Sequence, residues 1–255
     1  MRVAVIGLGE AGSLYAEGLA TSGNSVTGFD PVAQPSLAGV NIAPTLQEGV
    51  DGADVVVSLV GAANSEKVAS ALLPFLRPGM VVADLNTSSP DEKRRVAEEV
   101  SRSGAEYLDV AVLAPVPRAG AGTPLMISGS GGDTFRGAFE GTGASIETVD
   151  GGPGAAAERK LLRSVFMKGL AGVVVESLEG ARSADCEQWL RGQIVAELSG
   201  DASALVDRLE SGSRTHAVRR KHETEDAARC LEALGTPSWM TRGASEWFSE
   251  FEKHL

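Results

Sequence analysis

The sequence predicts an α/β doubly wound sheet followed by an all-α C-terminal domain, and three observations carry that prediction. Short runs of branched apolar residues alternate with helical patterns up to about residue 150, the rhythm of a parallel sheet covered on both faces. Helix breakers concentrate in the same part: 23 of the 31 glycines lie at or before Gly154, and ten of the eleven prolines precede residue 155. Beyond that point the patterns are helical and no strand signal is present. The expected division is a first domain over 1–153 and a helical second domain over 154–255.

The elements follow in order. Arg2–Ile6 (RVAVI) and Ser25–Phe29 read as strands flanking a helix over Glu10–Thr21. Val40–Ile42 is a short strand, Asp54–Leu59 (DVVVSL) a strong one, and Asn64–Leu76 a helix. Met80–Leu85 (MVVADL) is another buried strand. Ser89-Pro90-Asp91-Glu92 opens the next helix, with Ser as N-cap, Pro at the first helical position and Glu at the third. That helix runs to about Arg102. Strands follow at Glu106–Val112, Leu125–Ile127 and Ser145–Thr148, with a helix from about Asp133. From Ala155 to about Arg182 a single helical pattern carries Leu161, Leu162, Val165, Phe166, Leu170, Val173, Val174 and Leu178 on a wide apolar face. Further helices are expected at 184–199, 202–211, 214–234 and 238–254.

The turn after the first strand reads Gly7-Leu8-Gly9-Glu10-Ala11-Gly12, the G-x-G-x-x-G of a Rossmann-type dinucleotide site. Its place between strand and helix gives it meaning, because the free N–H groups of a helix start favour a pyrophosphate. Gly7 permits the tight turn, Gly9 a close backbone approach, and Gly12 helix–strand packing. Asp30 ends the second strand, 23 residues after Gly7. An acid there bonds the ribose hydroxyls and repels a 2′-phosphate, which favours NAD. Arg77, Lys93 and Arg94 leave NADP open. Ligands of open parallel sheets sit beyond the carboxyl ends of the strands, so Leu59, Val60 and Gly61, then Asn86 and Thr87, are expected around the nicotinamide. Ser88 is a candidate substrate contact, and Asn86-Thr87-Ser88 also reads simply as a polar turn before a capped helix.

Composition narrows the classes. The chain has 255 residues, with 43% apolar and 22% charged, which fits a soluble globular protein. No apolar run reaches the ~18 residues of a membrane span. The opening MRVAVIGLGE reads as strand and turn, so no signal peptide is expected. Cys186 and Cys230 form neither a disulfide framework nor a metal spacing, and the expected location is cytoplasmic. Net charge is −11, which argues against nucleic-acid binding. The charge is uneven, with 9 Lys/Arg against 18 Asp/Glu in residues 1–155 and 14 against 16 thereafter.

The segments MRVAVIGLGEAG, the Phe-Asp after the second strand, DLNTSSP, YLDVAVLAPVP and GAAAERKLLRSVFMKGL occur in that order. Together they resemble the β-hydroxyacid dehydrogenase / 6-phosphogluconate dehydrogenase superfamily, and within it a bacterial subgroup with a short helical C-terminal domain. The resemblance implies NAD(P)-linked interconversion of a small hydroxy acid and its carbonyl, with a lysine on the interdomain helix as acid/base. The matching residue is Lys160. Burial beside a cationic nicotinamide and Arg163 would make such a lysine a usable base. Lys160, Ser164 and Lys168 are spaced to share one helix face. Two departures leave the substrate open. The best-known members carry Asn where this chain has Ser164, and many have a Ser-Gly-Gly loop where this chain continues Val112-Leu113-Ala114-Pro115. Retention of Lys160 argues against the imine-reductase branch, which usually replaces that lysine.

The densest basic stretch runs from Arg214 to His222. On a helix, His216, Arg219, Arg220 and Glu223 share a face. Arginine pairs suit a carboxylate or phosphate, so Arg219 or Arg220 with His216 is a candidate contact for a small anionic substrate. The other reading is a solvated helix whose arginines pair with Glu223, Glu225 and Asp226. Trp189, Trp239, Trp247 and Phe248 read as core or dimer contacts, and a homodimer is expected. No metal site is expected. Two further function classes stay open: a reductase of aldehydes, ketones or imines, and a non-catalytic dinucleotide sensor.

Overall fold

Residues 1–254 are described by a computed structural model, in two units, Met1–Leu162 and Arg163–Leu255. The first comprises β1 (Arg2–Ile6), α1 (Glu10–Thr21), β2 (Ser25–Phe29), β3 (Val40–Ile42), α2 (Leu46–Val50), β4 (Val55–Ser58), α3 (Ser65–Leu72), β5 (Val81–Asp84), α4 (Pro90–Ser101), β6 (Glu106–Val112), β7 (Leu125–Gly129), α5 (Gly132–Phe139), β8 (Ile146–Thr148) and the start of α6 (Ala155–Ser183).

Side-chain alternation sorts the sheet's two faces. Val3 and Val5 join Tyr15, Leu19, Val57 and Phe135 in one core. Ala4 and Ile6 join Val56, Leu72, Val82 and Val96 in the other. The strand order is β3-β2-β1-β4-β5-β6-β7-β8. From β3 to β6 every pairing is parallel, and the winding reverses between β1 and β4, the switch point where such sheets bind ligands. The expected all-parallel sheet needs one correction, because β7 runs antiparallel to β6. Between them the chain forms only two single 3-10 turns, Val116–Arg118 and Gly120–Gly122. A parallel return needs a crossover of a dozen or more residues, usually a helix.

Local signals placed most of the helices. Ser89 Oγ accepts the Glu92 amide at 3.2 Å and Pro90 occupies the first turn of α4. The helix expected over 64–76 keeps α form only to Leu72 and then tightens to a 3-10 turn over Leu73–Phe75, because Pro74 cannot donate a helical bond. The short α2 was not foreseen; Thr45 caps it through the Glu48 amide.

The second unit takes up the rest of α6 and adds α7 (Glu187–Leu198), α8 (Ala202–Thr215), α9 (Ala217–Ala233) and α10 (Trp239–Glu252). Among the described residues it contains no strand. The helix expected over 214–234 is a correction: the chain breaks at His216, whose φ of −116° and ψ of 30° leave the helical region. Glu176 of α6 fastens α10 by accepting the Met240 amide at 2.7 Å and the Thr241 amide at 2.8 Å. Gly172 packs against Met240 and Gly180 against Leu231, where a Cβ would collide. Among the described residues no helix is long and apolar enough to cross a membrane.

Candidate active site

The glycine loop is built by close approach. Gly7 has φ +95°, and a Cβ there would lie 2.4 Å from the Leu59 carbonyl oxygen of the loop after β4. A Cβ on Gly12 would lie 1.8 Å from the Gly7 carbonyl oxygen. Both positions therefore exclude any side chain. Gly9, the N-cap of α1, faces open space instead. The result is a bare backbone cradle at the start of α1, where amide donors and the helix dipole favour a phosphate. Glu10 and Ala11 form the first turn of α1.

Asp30 secures this cradle. Its Oδ2 accepts the Leu8 amide at 2.9 Å, and its Oδ1 accepts those of Val32 and Ala33, each at 2.8 Å. Partial burial pushes the carboxyl upward, but the three backbone donors outweigh it and hold the group below its usual value. A carboxylate offers about four acceptor sites, so these bonds leave room for about one more partner. Of the cations that kept NADP open, Arg77 donates to the Ala53 carbonyl at 2.6 Å and Arg94 pairs with Asp91. Lys93 is buried elsewhere.

Asn86 ties two strand ends together. Its Oδ1 accepts the amides of Val60 at 2.7 Å and Gly61 at 2.9 Å. Its Nδ2 donates to Ser58 Oγ at 3.1 Å and Asp84 Oδ1 at 2.7 Å. Both ends of the amide are thus engaged in a buried position, and the residue acts as a brace between the loops after β4 and β5.

Lys160 stands on α6, half-buried, with Nζ donating to Thr87 Oγ1 at 2.9 Å. Thr87, Ser88, Asp109, Ala157 and Lys160 line one small cavity between the loop after β5, the C-terminal half of β6 and the start of α6. Ser88 Oγ is buried there with no hydrogen-bond partner among the described residues. Burial first, and the like charge of Lys93 second, hold the Lys160 ammonium below the ordinary lysine range, while Asp109 opposes them.

Beneath this lysine lies a charged network that sequence reasoning missed. Lys93 of α4 is only 1% exposed. Its Nζ meets Asp84 Oδ2 at 3.1 Å and Asp109 Oδ1 at 3.3 Å and donates to the Asp84 carbonyl at 2.7 Å. Tyr107 donates to Asp84 Oδ2 at 2.7 Å; burial and then the Asp84 charge keep its phenol protonated. Asp109 Oδ2 accepts the amides of Gly154 at 3.2 Å and Ala157 at 2.9 Å, and Ser128 Oγ accepts that of Ala156 at 3.0 Å. Strands β6 and β7 thereby supply the cap of α6, answering amides that a helix start leaves unpaired. A signal was present in the sequence: Lys93, Val96, Ala97 and Val100 fall on one helical stripe, and all four are buried.

The remaining candidates belong to the second unit. Arg163 and Lys168 are exposed on α6 and Ser164 is half-buried. His216 is the junction between α8 and α9, so it does not continue the α9 face that carries Arg219 and Arg220. Arg219 pairs with Glu223 at 3.1 Å, and Arg220 donates to Ser213 Oγ at 2.8 Å. Arg219 thus makes one of the acidic pairings expected of a solvated helix, whereas half-buried Arg220 turns back to α8 instead. Among the described residues no cluster of His, Cys, Asp and Glu is arranged for a metal.

The model for the NAD binding domain of 6-phosphogluconate dehydrogenase matches residues 2–148, and that for a domain of unknown function, DUF1932, matches residues 181–251. The NAD-dependent L-serine dehydrogenase of Pseudomonas aeruginosa is 29% identical over 156 residues, 57% of this chain and 52% of that protein. The 3-hydroxyisobutyrate dehydrogenase of the same bacterium is 30% identical over 183 residues, 66% of this chain and 61% of that protein. The chain thus spans about half the length of the first relative and three-fifths of the second. An imine reductase from Aspergillus terreus, in complex with NADPH4, shares the fold with a TM-score of 0.82 at 17% identity, over 99% of this chain and 93% of that one.

Proposed function

This chain belongs to the family of the NAD binding domain of 6-phosphogluconate dehydrogenase, and we propose that it is an NAD(P)-dependent oxidoreductase that interconverts a small β-hydroxy acid and its carbonyl, with Lys160 as the acid/base. The observation that carries this reading is the placement of Lys160 Nζ on Thr87 Oγ1, in a cavity beside the loop after β5 that also holds a Ser88 hydroxyl with no hydrogen-bond partner among the described residues.

The cradle suits the cofactor: Gly7 and Gly12 leave no room for a Cβ and Gly9 is open. Gly7 to Gly12 would hold the pyrophosphate and Asp30 the ribose, while Leu59, Val60, Gly61, Asn86 and Thr87 would border the nicotinamide. Bound there, the nicotinamide supplies the site that accepts or gives the hydride. Lys160 takes the hydroxyl proton in oxidation and returns it in reduction. Thr87 orients the amine, and Ser88 offers a hydrogen bond to the substrate. Asp30 favours NAD. The reading extends to a homodimer and to a small anionic substrate, for whose charge Arg163, Ser164 and Lys168 on α6 are the first candidates. His216, Arg219 and Arg220 are the second, with Arg219 needing to leave Glu223.

A reductase of carbonyls or imines is the second reading, favoured by the fold shared with the imine reductase; the same ammonium could protonate an imine nitrogen. Panels of keto acids, hydroxy acids, aldehydes and imines, followed by nicotinamide absorbance, separate the two. Lys160→Ala is expected to lower turnover by about 10²–10⁴-fold while cofactor titrations stay unchanged. Turnover that survives this substitution removes the mechanism, and tight cofactor binding with no turnover on any panel points to a sensor.

A further inference from the structure

Lys93 occupies a stripe of α4 whose other members are Val96, Ala97 and Val100. An apolar residue would pack there, and burying an ammonium is costly, so the charge calls for a reason beyond helix packing. Its partners differ in what else they have. Asp84 also receives the Tyr107 hydroxyl and both the amide and side chain of Asn86. Asp109 Oδ2 is filled by the cap of α6, but among the described residues Asp109 Oδ1 has no hydrogen bond and meets only Lys93 as an ion pair. Asp109 also lines the cavity of Lys160, which stands one turn beyond the capped Ala157.

We propose that Lys93 and Asp109 form an opposed electrostatic pair that positions Lys160 and sets its charge state, Lys93 favouring the free amine and Asp109 the ammonium. This inference rests on the reading of Lys160 as acid/base. Lys93 touches neither substrate nor cofactor in this role and is a positioning residue. The bookkeeping of charge explains the balance. Asp84, Lys93 and Asp109 together carry one net negative charge, which a protonated Lys160 neutralises. Without the Lys93 charge the network would hold the Lys160 proton more tightly; without the Asp109 charge it would release it more readily. The direction agrees with the lowered proton affinity of Lys160, to which Lys93 and Asp109 contribute with opposite sign. The charged groups that act on Lys160 are Lys93 from α4 and Asp109 from β6, of which Asp109 lines its cavity. Asp84 from β5 and the Tyr107 phenol complete the network around Lys93. On α6 itself the neighbouring charges are Glu158, Arg159 and Arg163.

The test needs no substrate. The full chain is labelled with trace acetic anhydride across a pH series, and acylation of Lys160 is followed by mass spectrometry against the exposed Lys67. Lys93→Met is expected to move the Lys160 midpoint up by about one pH unit, an approximately tenfold loss of reactivity at neutral pH. Asp109→Asn, which retains an acceptor for the cap, is expected to move it down, and Lys93→Arg to return it toward the parent value. Shifts in the same direction, or none, overturn the proposal. If Lys93→Met does not fold, Asp109→Asn decides alone: a downward shift supports the pair and an unmoved midpoint overturns it. The two readings fail separately. Turnover surviving Lys160→Ala defeats the acid–base role whatever the labelling shows. Unmoved midpoints, with turnover lost in Lys160→Ala, defeat only this inference.

Discussion

Val55, Val56 and Val57 on β4 are 0% exposed, whereas Val165 and Phe166 on α6 are 72% and 61% exposed. The first unit covers both faces of its sheet with its own helices, so each strand residue finds a core on either side. Among the described residues the second unit has helices only, and each can bury just one stripe. Trp189, Trp239 and Trp247 are exposed there too, so the expected core role for these residues does not apply within one chain. The nucleotide half is therefore complete in its packing, while the helical half presents apolar surface of the kind that marks an interaction site. A second copy of the chain is the partner proposed for it.

Breaking the first half at its tightest point should have the largest effect. Gly12→Val drives a side chain into the Gly7 carbonyl. It should abolish NADH binding in a fluorescence titration and cost about 1–3 kcal/mol of stability, read as a lower melting temperature. Next comes the exposed surface of the second half. Val165→Asp with Phe166→Asp should convert a dimer to a monomer in sedimentation velocity, leaving the first unit's hydrogen-exchange protection unchanged. A monomeric parent chain would sink the comparison.

The pH response of Lys160 sharpens it further. In the proposed mechanism oxidation needs the free amine, so its rate should rise with pH through the Lys160 midpoint. Because burial and Lys93 depress that midpoint, the rise should come at lower pH than an ordinary lysine would give. Reduction needs the ammonium and should fall over the same window. The smallest effect belongs to Arg219→Ala. It breaks only an exposed i,i+4 pair with Glu223, worth about 0.3–0.5 kcal/mol. A large rise in KM would instead support Arg219 as a contact of the substrate.

Legibility followed the range of the interaction. The strand β6 appears over Glu106–Val112 as its pattern predicts, and Ser89 caps α4 as its spacing predicts. These depend on neighbours a few residues apart. The brace of Asn86 on Val60 and Gly61 reaches across 25 or 26 residues, and the Asp109 cap of Ala157 across 48. Nothing local distinguishes such residues from ordinary turn or strand residues. Lys93 was legible only as a violation, a charge on an apolar stripe.

The glycine cradle, the alternation that makes a two-faced sheet and the shift to helices after Gly154 are written in the order of the residues alone. Those features rest on periods of two or 3.6 residues and on backbone angles that glycine alone adopts freely. Only the tertiary structure decided that β7 turns back antiparallel, that Lys160 meets Thr87 across 73 residues, and that a buried lysine stands between two aspartates beside it. Those depend on which strand ends and helix starts are brought together, because a charge acts through space while its pattern is written along the chain.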